Sequence, residues 1–249
     1  MVCKVHLYEK PVLNDPVLIE GLPGIGFVAN ITALHLIKEL NATLFAEIKS
    51  SSFQDLAMTT GNGRIYFPTN QFYYYKGKEG ERDLIILYGN TQALTTTGQY
   101  ELCGKILDIS EELGCKYILT VGGLRKEEKI ETPEIYCTAS DTETLQEALD
   151  FGVKIMKGHI FGVAGLLVGL CTLRNIKGLC LLAETSGLYP DAVATRQVLK
   201  VINTMLNLKI NLENLSTAAE ETGELLKSFG IVSSSIEKKD READFRWFI

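Results

Sequence analysis

The sequence contains few of the residues that build metal centres or disulfide frameworks. It has three histidines and six cysteines among 249 residues, and no two cysteines are spaced as C-x-x-C. Because thiols, imidazoles and carboxylates do not recur at metal-ligand spacings, we expect no metal site. Most of the cysteines lie in apolar runs, as Cys180 does in GLCLLA. We therefore expect them to be reduced core residues of a cytoplasmic protein.

Excess positive charge and long hydrophobic runs are also missing. The net charge is −6 at pH 7, which argues against a general surface for nucleic acids or anionic membranes. The most apolar stretch, residues 160–173, has about fourteen residues and is too short to span a bilayer. Its glycines predict tight helix packing in a core. Met1 runs directly into polar and strand-like residues, so we expect no signal peptide and a cytoplasmic location.

Apolar runs of strand length alternate with longer helical patterns along the chain. Strands are predicted at residues 3–8, 17–20, 43–48, 83–89, 116–121 and 177–183. Helices are predicted at residues 27–40, 96–113, 191–208 and 211–229, and a further helix opens at Ser140 with Glu143 as its capping-box partner. This alternation is typical of an α/β fold whose mostly parallel sheet has helices on both faces.

Two segments differ from this alternation. Residues 64–75, RIYFPTNQFYYY, predict a β-hairpin around a Pro-Thr-Asn turn, which is either a lid over the main sheet or an edge used for assembly. From residue 231 onward the sequence is rich in serine and then in charges of both signs, which is typical of a flexible tether. We therefore predict a single α/β domain over residues 1–230 and a flexible C-terminal tail over residues 231–249.

The stretch from residue 17 to residue 40 combines a strand, a glycine-rich turn and a helix. Gly24 to Ala29 fits the G-x-G-x-x-A pattern of dinucleotide sites, and Glu47 lies about where a ribose-binding acid belongs. However, a proline stiffens the turn, and Phe27 occupies the position where a phosphate would need room. The turn is therefore either a phosphate cradle or a packing turn, and the second interpretation is favoured. It is not a P-loop, because no Gly-Lys-Ser/Thr follows.

Polar residues follow several of the predicted strands. Asn90, Gly122-Gly123 and Glu184 come at strand ends, and ligands of open α/β sheets gather beyond such ends. These residues, together with the glycine turn and Glu47, could form a cleft for a nucleoside or a similar small molecule. However, no nucleophile has an evident base beside it, and Ser186 lacks the G-x-S-x-G surroundings of a hydrolase. A small-molecule enzyme or binder is therefore the alternative hypothesis.

The chain ends in Trp247, Phe248 and Ile249, and Trp247 is the only tryptophan. One interpretation is that these residues fold back on the body of the protein. The other is that they insert into a pocket on a partner, where a lysine or a backbone nest captures the terminal carboxylate. A single tail would bind weakly, whereas several tails on one oligomer would gain from effective concentration.

Several motifs, in this order and spacing, resemble the proteasome assembly chaperone 2 family in its archaeal form. The segments that carry the resemblance are GLPGIGFVAN, YGNTQ, TVGG, GVAGLL and AETSGLYPDAVATRQVL. The resemblance implies a three-layer α/β fold similar to nucleoside phosphorylases, no enzyme activity, no cofactor, and a homo-oligomer such as a tetramer or pentamer.

The resemblance also implies a partner and a binding site. Members of the family assist assembly of 20S proteasome α-rings, and some dock through a C-terminal motif of a hydrophobic residue, a tyrosine and any residue. Trp247 matches the hydrophobic position and Ile249 the final one, whereas Phe248 replaces the usual tyrosine. We therefore predict a non-enzymatic chaperone that binds 20S proteasome α subunits through these three residues. Docking is expected more firmly than gate opening, because Phe248 lacks the tyrosine hydroxyl.

Overall fold

A nine-stranded sheet forms the centre of the molecule. The computed structural model describes residues 3–59, 62–127, 130–188 and 190–228. The strands in these ranges are β1 Lys4–Leu7, β2 Val17–Gly21, β3 Thr43–Lys49, β4 Met58–Thr59, β5 Ile65–Tyr66, β6 Asn70–Tyr75, β7 Leu84–Gly89, β8 Tyr117–Arg125, β9 Ile135–Ala139, β10 Lys154–Ile155 and β11 Lys177–Thr185. The main sheet has the order β1-β3-β6-β7-β2-β8-β11-β9-β10, and β4 pairs only with β5.

The sheet is mixed, with a parallel centre. Strands β7, β2, β8 and β11 run parallel to one another. Antiparallel strands flank this centre, with β6, β3 and β1 on one side and β9 on the other. Because β7, β2, β8 and β11 share one direction, their carboxyl ends meet at a single edge of the sheet, which we call the C-terminal edge.

Helices cover both faces of the sheet. The helices are α1 Val28–Glu39, α2 Thr96–Glu112, α3 Thr142–Leu149, α4 Gly162–Cys171, α5 Ala192–Met205 and α6 Leu215–Ser228. Helices α1, α3, α5 and α6 pack on one face, while α2 and α4 pack on the other. In β2, Val17 and Ile19 face the first group and Leu18 faces the second, as the two-residue period of a strand requires. The predicted α/β class with helices on both faces is confirmed.

Most predicted elements form, and the predicted β-hairpin is present, but its strands are β4 and β5 and the predicted pairing within residues 64–75 is wrong. Ile65–Tyr66 pairs with Met58–Thr59, whereas Asn70–Tyr75 lies in the main sheet between β3 and β7. The reason is that β6 supplies core residues: Phe72 is fully buried and packs near Phe45 of β3. A segment with that much apolar surface on one face is more stable inside the sheet than at its margin.

The structure differs from the sequence-based predictions at three further places. The cap of α3 is Asp141, whose Oδ1 accepts the N–H of Thr144 at 2.8 Å, while the Ser140 hydroxyl accepts the N–H of Gly178. Strands β9 and β10 were not predicted at all. The apolar run 160–173 forms α4, but Phe161 and Leu173 at its ends are exposed, so it is only partly a core helix.

The cap of α5 is as predicted, and the structure describes all six cysteines but not the C-terminal division. Asp191 caps α5, since its Oδ1 accepts the N–H of Ala194 at 2.8 Å. All six cysteines are free thiols, and five of them are buried. Within the described ranges, no helix is both long enough and apolar enough to cross a bilayer. The predicted tail over residues 231–249 lies outside the described residues, so the division at residue 230 stays a prediction.

One carboxyl group lies inside the core, on the central strand β2. Glu20 is 1% exposed, and its Oε1 accepts the N–H of Leu22 at 2.8 Å. Burial raises the pKa of Glu20 to about 8, and the backbone N–H groups of Leu22 and Val121 offset only part of this rise. The carboxyl group is therefore mostly neutral in the folded protein at pH 7.

We expect Glu20→Gln to flatten the dependence of folding stability on pH. The folded pKa of about 8 lies above the ordinary value of 4.5, so the stability contributed by the neutral Glu20 carboxyl is fully present below pH 4.5 and is lost as pH rises towards 8. The loss amounts to roughly 3–5 kcal/mol. Urea unfolding at pH 5 and pH 8.5 measures it, with Glu213→Gln at an exposed position as the control. Equal pH dependence in wild type and Glu20→Gln would contradict the assignment.

Candidate functional site

The glycine-rich turn after β2 lies at the C-terminal edge of the sheet. Residues Ile25–Phe27 form one 3-10 turn, in which the N–H of Phe27 donates to the carbonyl of Gly24 at 3.0 Å. Gly26 and Phe27 both adopt left-handed backbone, with φ of 64° and 52°. This conformation is unfavourable for a bulky residue such as phenylalanine. Burial of the Phe27 ring in the core beneath α1 and α5 offsets that strain.

The ends of β8 and β11 close directly onto this turn. A Cβ added to Gly26 would lie 2.7 Å from the Thr185 hydroxyl, and one added to Gly123 would lie 2.2 Å from the Ile25 carbonyl. The Gly26 carbonyl accepts the N–H of Asp191 at 2.9 Å. The glycines therefore permit close packing of the backbone, and atoms of the chain itself occupy the space beside the turn. This geometry favours the packing turn over the phosphate cradle.

Two buried amides tie the neighbouring segments together. The Nδ2 of Asn30 donates to the carbonyls of Gly21 at 3.1 Å and Gly89 at 2.7 Å, which joins the ends of β2 and β7. The Nε2 of Gln92 donates to the Pro23 carbonyl at 2.6 Å, and its Oε1 accepts the N–H of Val163 in α4 at 3.0 Å. Gln92 thus caps α4 from a distant loop. Asn30 was not among the predicted site residues. An amide on an otherwise apolar helix just after the turn indicates a buried polar contact and could have identified it.

Glu47 does not lie beside the glycine turn, as the less favoured dinucleotide interpretation required. Glu47 lies on β3, and both β6 and β7 separate that strand from β2 and its glycine turn. At about 4.8 Å per strand, the separation is roughly 14 Å. Glu47 instead pairs with Lys49, with 2.7 Å between Oε1 and Nζ. Sequence spacing alone could not reveal this, because it does not show where β6 enters the sheet.

The other candidate cleft residues hold loops in place. The Oδ1 of Asn90 accepts the N–H of Thr69 at 2.9 Å. Glu184 accepts the Tyr136 hydroxyl at 3.2 Å and pairs with Lys126 at 3.4 Å. Burial and the adjacent carboxylates raise the pKa of Tyr136 to about 12, so its hydroxyl keeps the proton that it donates. Both side chains thus have structural partners, and neither is paired with a nucleophile.

The histidines do not meet at this edge. His35 bonds the Asn211 carbonyl through Nε2 at 2.7 Å, and burial lowers its pKa. The ring of His6 lies 4.6 Å from Tyr8, and the ring of His159 stacks on Phe161. In the part of the chain that the structure describes, no group of three or more histidine, cysteine or carboxylate side chains is arranged to hold a metal ion.

The predicted partner-binding residues are the last three of the sequence. Trp247, Phe248 and Ile249 lie outside the described residues, which end at Ser228 in α6. Their role therefore stays a prediction.

Comparison with known proteins gives consistent matches along the chain. The model of the PAC2 family matches residues 18–229. PbaB from Pyrococcus furiosus, described as an archaeal proteasome activator, is 35% identical, and the similarity covers 92% of this chain and 99% of PbaB with a TM-score of 0.82. PbaA from the same organism, described as an archaeal homolog of proteasome-assembly chaperone, is 29% identical over 91% of this chain and 96% of its own, with a TM-score of 0.75. The protein MJ1210 of Methanocaldococcus jannaschii is 31% identical over 94% of this chain and 93% of its own.

The closed turn predicts unequal effects of two alanine substitutions. Gly26→Ala should destabilise the protein by roughly 1–3 kcal/mol, because it places a Cβ at positive φ and 2.7 Å from Thr185. Gly24→Ala is the matched control, since its Cβ would meet nothing within 4 Å and its φ is −159°. Urea unfolding of both variants tests this. Equal stability of the two variants would show that the turn is not tightly packed.

Proposed function

The chain belongs to the PAC2 family, and we propose that it is a non-enzymatic chaperone that binds 20S proteasome α subunits and assists core-particle assembly. The observation that carries this proposal is the similarity to PbaB and PbaA, which extends over more than nine tenths of the chain. PbaB is described as an archaeal proteasome activator, and PbaA as an archaeal homolog of proteasome-assembly chaperone. At 35% and 29% identity, the likeness extends beyond the fold to the sequence.

The C-terminal tail is the proposed docking element. Trp247, Phe248 and Ile249 combine two aromatic side chains and an aliphatic one, and the proposal includes the carboxylate of Ile249 as a docking group. Such an end suits a pocket with an apolar wall and a lysine at its mouth. Residues 229–249 follow the end of α6, and a chain of that length extends at most about 70 Å. The tail could therefore reach a partner surface well beyond the folded body.

The geometry gives the alternative, a small-molecule enzyme or binder, no specific support. The glycine turn is closed by Thr185 and Asp191, Glu47 lies roughly 14 Å away from it, and Glu184 is bound to Tyr136.

We further propose that the protein acts in the cytoplasm as a homo-oligomer, a tetramer or a pentamer. Several tails on one assembly would raise the affinity for an α-ring through effective concentration.

Removal of residues 247–249 should weaken binding to proteasome α-rings at least tenfold. The deletion removes two aromatic side chains and moves the carboxylate, and a loss of 1.4 kcal/mol already corresponds to tenfold. Surface plasmon resonance on immobilised α-rings measures it. The control replaces Lys238 and Lys239 by alanine, which changes the tether and leaves the motif intact. Unchanged affinity after the deletion would exclude the tail's role, and no binding by any variant would refute the proposed function.

Phe248→Tyr should strengthen docking and increase gate opening. The new hydroxyl restores one hydrogen bond of the family's usual motif, and a net gain of about 0.5–1.5 kcal/mol corresponds to roughly two- to thirteenfold in affinity. Stimulation of peptide hydrolysis by the 20S particle is the readout. Phe245→Tyr adds the same hydroxyl outside the motif and should have no effect. Equal stimulation by wild type and Phe248→Tyr would show that the hydroxyl is not used.

A further inference from the structure

One buried amide at the C-terminal edge joins segments that carry exposed apolar side chains. The Oε1 of Gln92 accepts the Nε2 of Gln99 in α2 at 3.3 Å and the N–H of Val163 in α4 at 3.0 Å. Three residues beside these groups form what we call the apolar patch: Leu94 (40% exposed), Tyr100 (54%) and Phe161 (65%). Single apolar residues are normal on a protein surface, but a group at one place marks an interaction site.

Charged side chains border the patch. Lys157 and His159 precede Phe161 in the loop before α4, and both are exposed. The ring of His159 stacks on that of Phe161, with 6.2 Å between the centroids. Glu101 follows Tyr100 in α2. None of the ion pairs among the described residues involves Lys157 or Glu101. The patch thus offers aromatic surface together with one ammonium group and one carboxylate.

The C-terminal segment begins at the same edge of the sheet. A Cβ added to Gly223 of α6 would lie 3.7 Å from the Cγ of Pro190. Pro190 precedes Asp191, whose N–H donates to the carbonyl of Gly26 in the glycine turn. Helix α6 ends five residues after Gly223, at Ser228. Residues 229–249 therefore start close to the turn.

The patch lies within reach of the end of this segment. The Nε2 of Gln92 donates to the carbonyl of Pro23, and three Cα–Cα steps of the turn separate Pro23 from Gly26 by at most about 11 Å. The Gln92 amide is therefore within roughly 25 Å of Pro190. The chain from residue 229 to residue 247 spans roughly 25 Å on average, as the flexible tether that its composition predicts. Such a tether holds its end near the patch at a millimolar effective concentration.

We propose that residues 246–249 dock on the apolar patch of their own chain when no partner is bound. The two aromatic rings of this segment cover Phe161 and Tyr100, and the carboxylate of its last residue binds Lys157. The arginine at its start pairs with Glu101. The cation and the carboxylate of the segment thus meet the opposite charges that border the patch.

This inference rests on the proposed function, in which the same residues dock on α subunits, and it names how that site is regulated. The patch and an α subunit compete for the same side chains, so a tail binds only one of them at a time. The patch therefore lowers the apparent affinity for α-rings in proportion to the fraction of tails that are free.

Fluorescence of Trp247, the only tryptophan, reports this contact in the full chain. If half or more of the tails are docked, acrylamide should quench the wild type at most about half as strongly as Phe161→Lys, whose emission should shift to the red. Leu173→Lys is the matched control, because Leu173 is 78% exposed and lies at the other end of α4, roughly 15 Å away. It should be quenched like the wild type. Tyr100→Lys is a second patch variant if circular dichroism shows that Phe161→Lys does not fold.

A charge reversal tests the carboxylate contact separately. Lys157→Glu should increase the quenching of Trp247, because it places a second carboxylate beside that of the chain end. Lys116→Glu reverses another exposed lysine, just before β8, and should leave the quenching unchanged. Equal quenching of the two variants would exclude Lys157 as the partner of the carboxylate.

Mixing two proteins distinguishes docking within one chain from docking on a second copy. The Phe161→Lys protein keeps its tail, and a protein without residues 247–249 keeps an intact patch. Trp247 in the mixture should be quenched as strongly as in Phe161→Lys alone. Protection restored by mixing would overturn the proposal, as would equal quenching of wild type and Phe161→Lys. Exposure of Trp247 by Tyr66→Lys, on the β4–β5 hairpin, but not by Phe161→Lys would overturn it as well.

Binding to immobilised α-rings separates this outcome from that of the proposed function. Phe161→Lys should bind about twofold or more tightly than the wild type, because all its tails are free. If Phe161→Lys exposes Trp247 but neither protein binds α-rings, the contact within the chain stands and the chaperone role fails. If both proteins bind equally and show equal quenching, the chaperone role stands and the patch contact fails. Exposure of Trp247 without a gain in affinity would overturn the regulation.

Discussion

The architecture depends on close contact between the turn after β2 and the ends of β8 and β11. That contact forms because Gly26 and Gly123 carry no side chain. Asp191 secures it with three separate groups: its N–H donates to Gly26, one carboxylate oxygen accepts the Thr185 hydroxyl, and the other accepts the N–H of Ala194 in α5. The start of α5 and the start of α1 are therefore fixed by the same few atoms. Elements that are distant in sequence share one anchoring point.

This anchoring explains why the described residues leave no open site at the turn on the C-terminal edge. Ligands of open α/β sheets usually bind beyond the carboxyl ends of the strands, where polar groups are available. Here Asn30, Gln92 and Glu184 use those polar groups to hold backbone and side chains of the same chain.

The sequence predicted the fold where the signal was local. Apolar runs such as Val17–Gly21 and Leu84–Gly89 mark buried strands, and Asp191 marks a helix start through its capping oxygen. The prediction that needed strand order failed. The 64–75 hairpin assumed that neighbours in sequence are neighbours in the sheet, and β6 breaks that assumption by entering between β3 and β7. The same strand order separates Glu47 from the glycine turn, which sequence spacing does not show.

The buried carboxyl of Glu20 has a consequence for the thermodynamics of folding. In the unfolded chain the group is ionised at neutral pH, whereas in the folded chain a pKa of about 8 keeps it mostly protonated. Each molecule therefore takes up close to one proton from the solution as β2 enters the sheet. The heat measured for folding then contains the ionisation heat of whichever buffer supplies that proton, and it changes when one buffer is exchanged for another at the same pH.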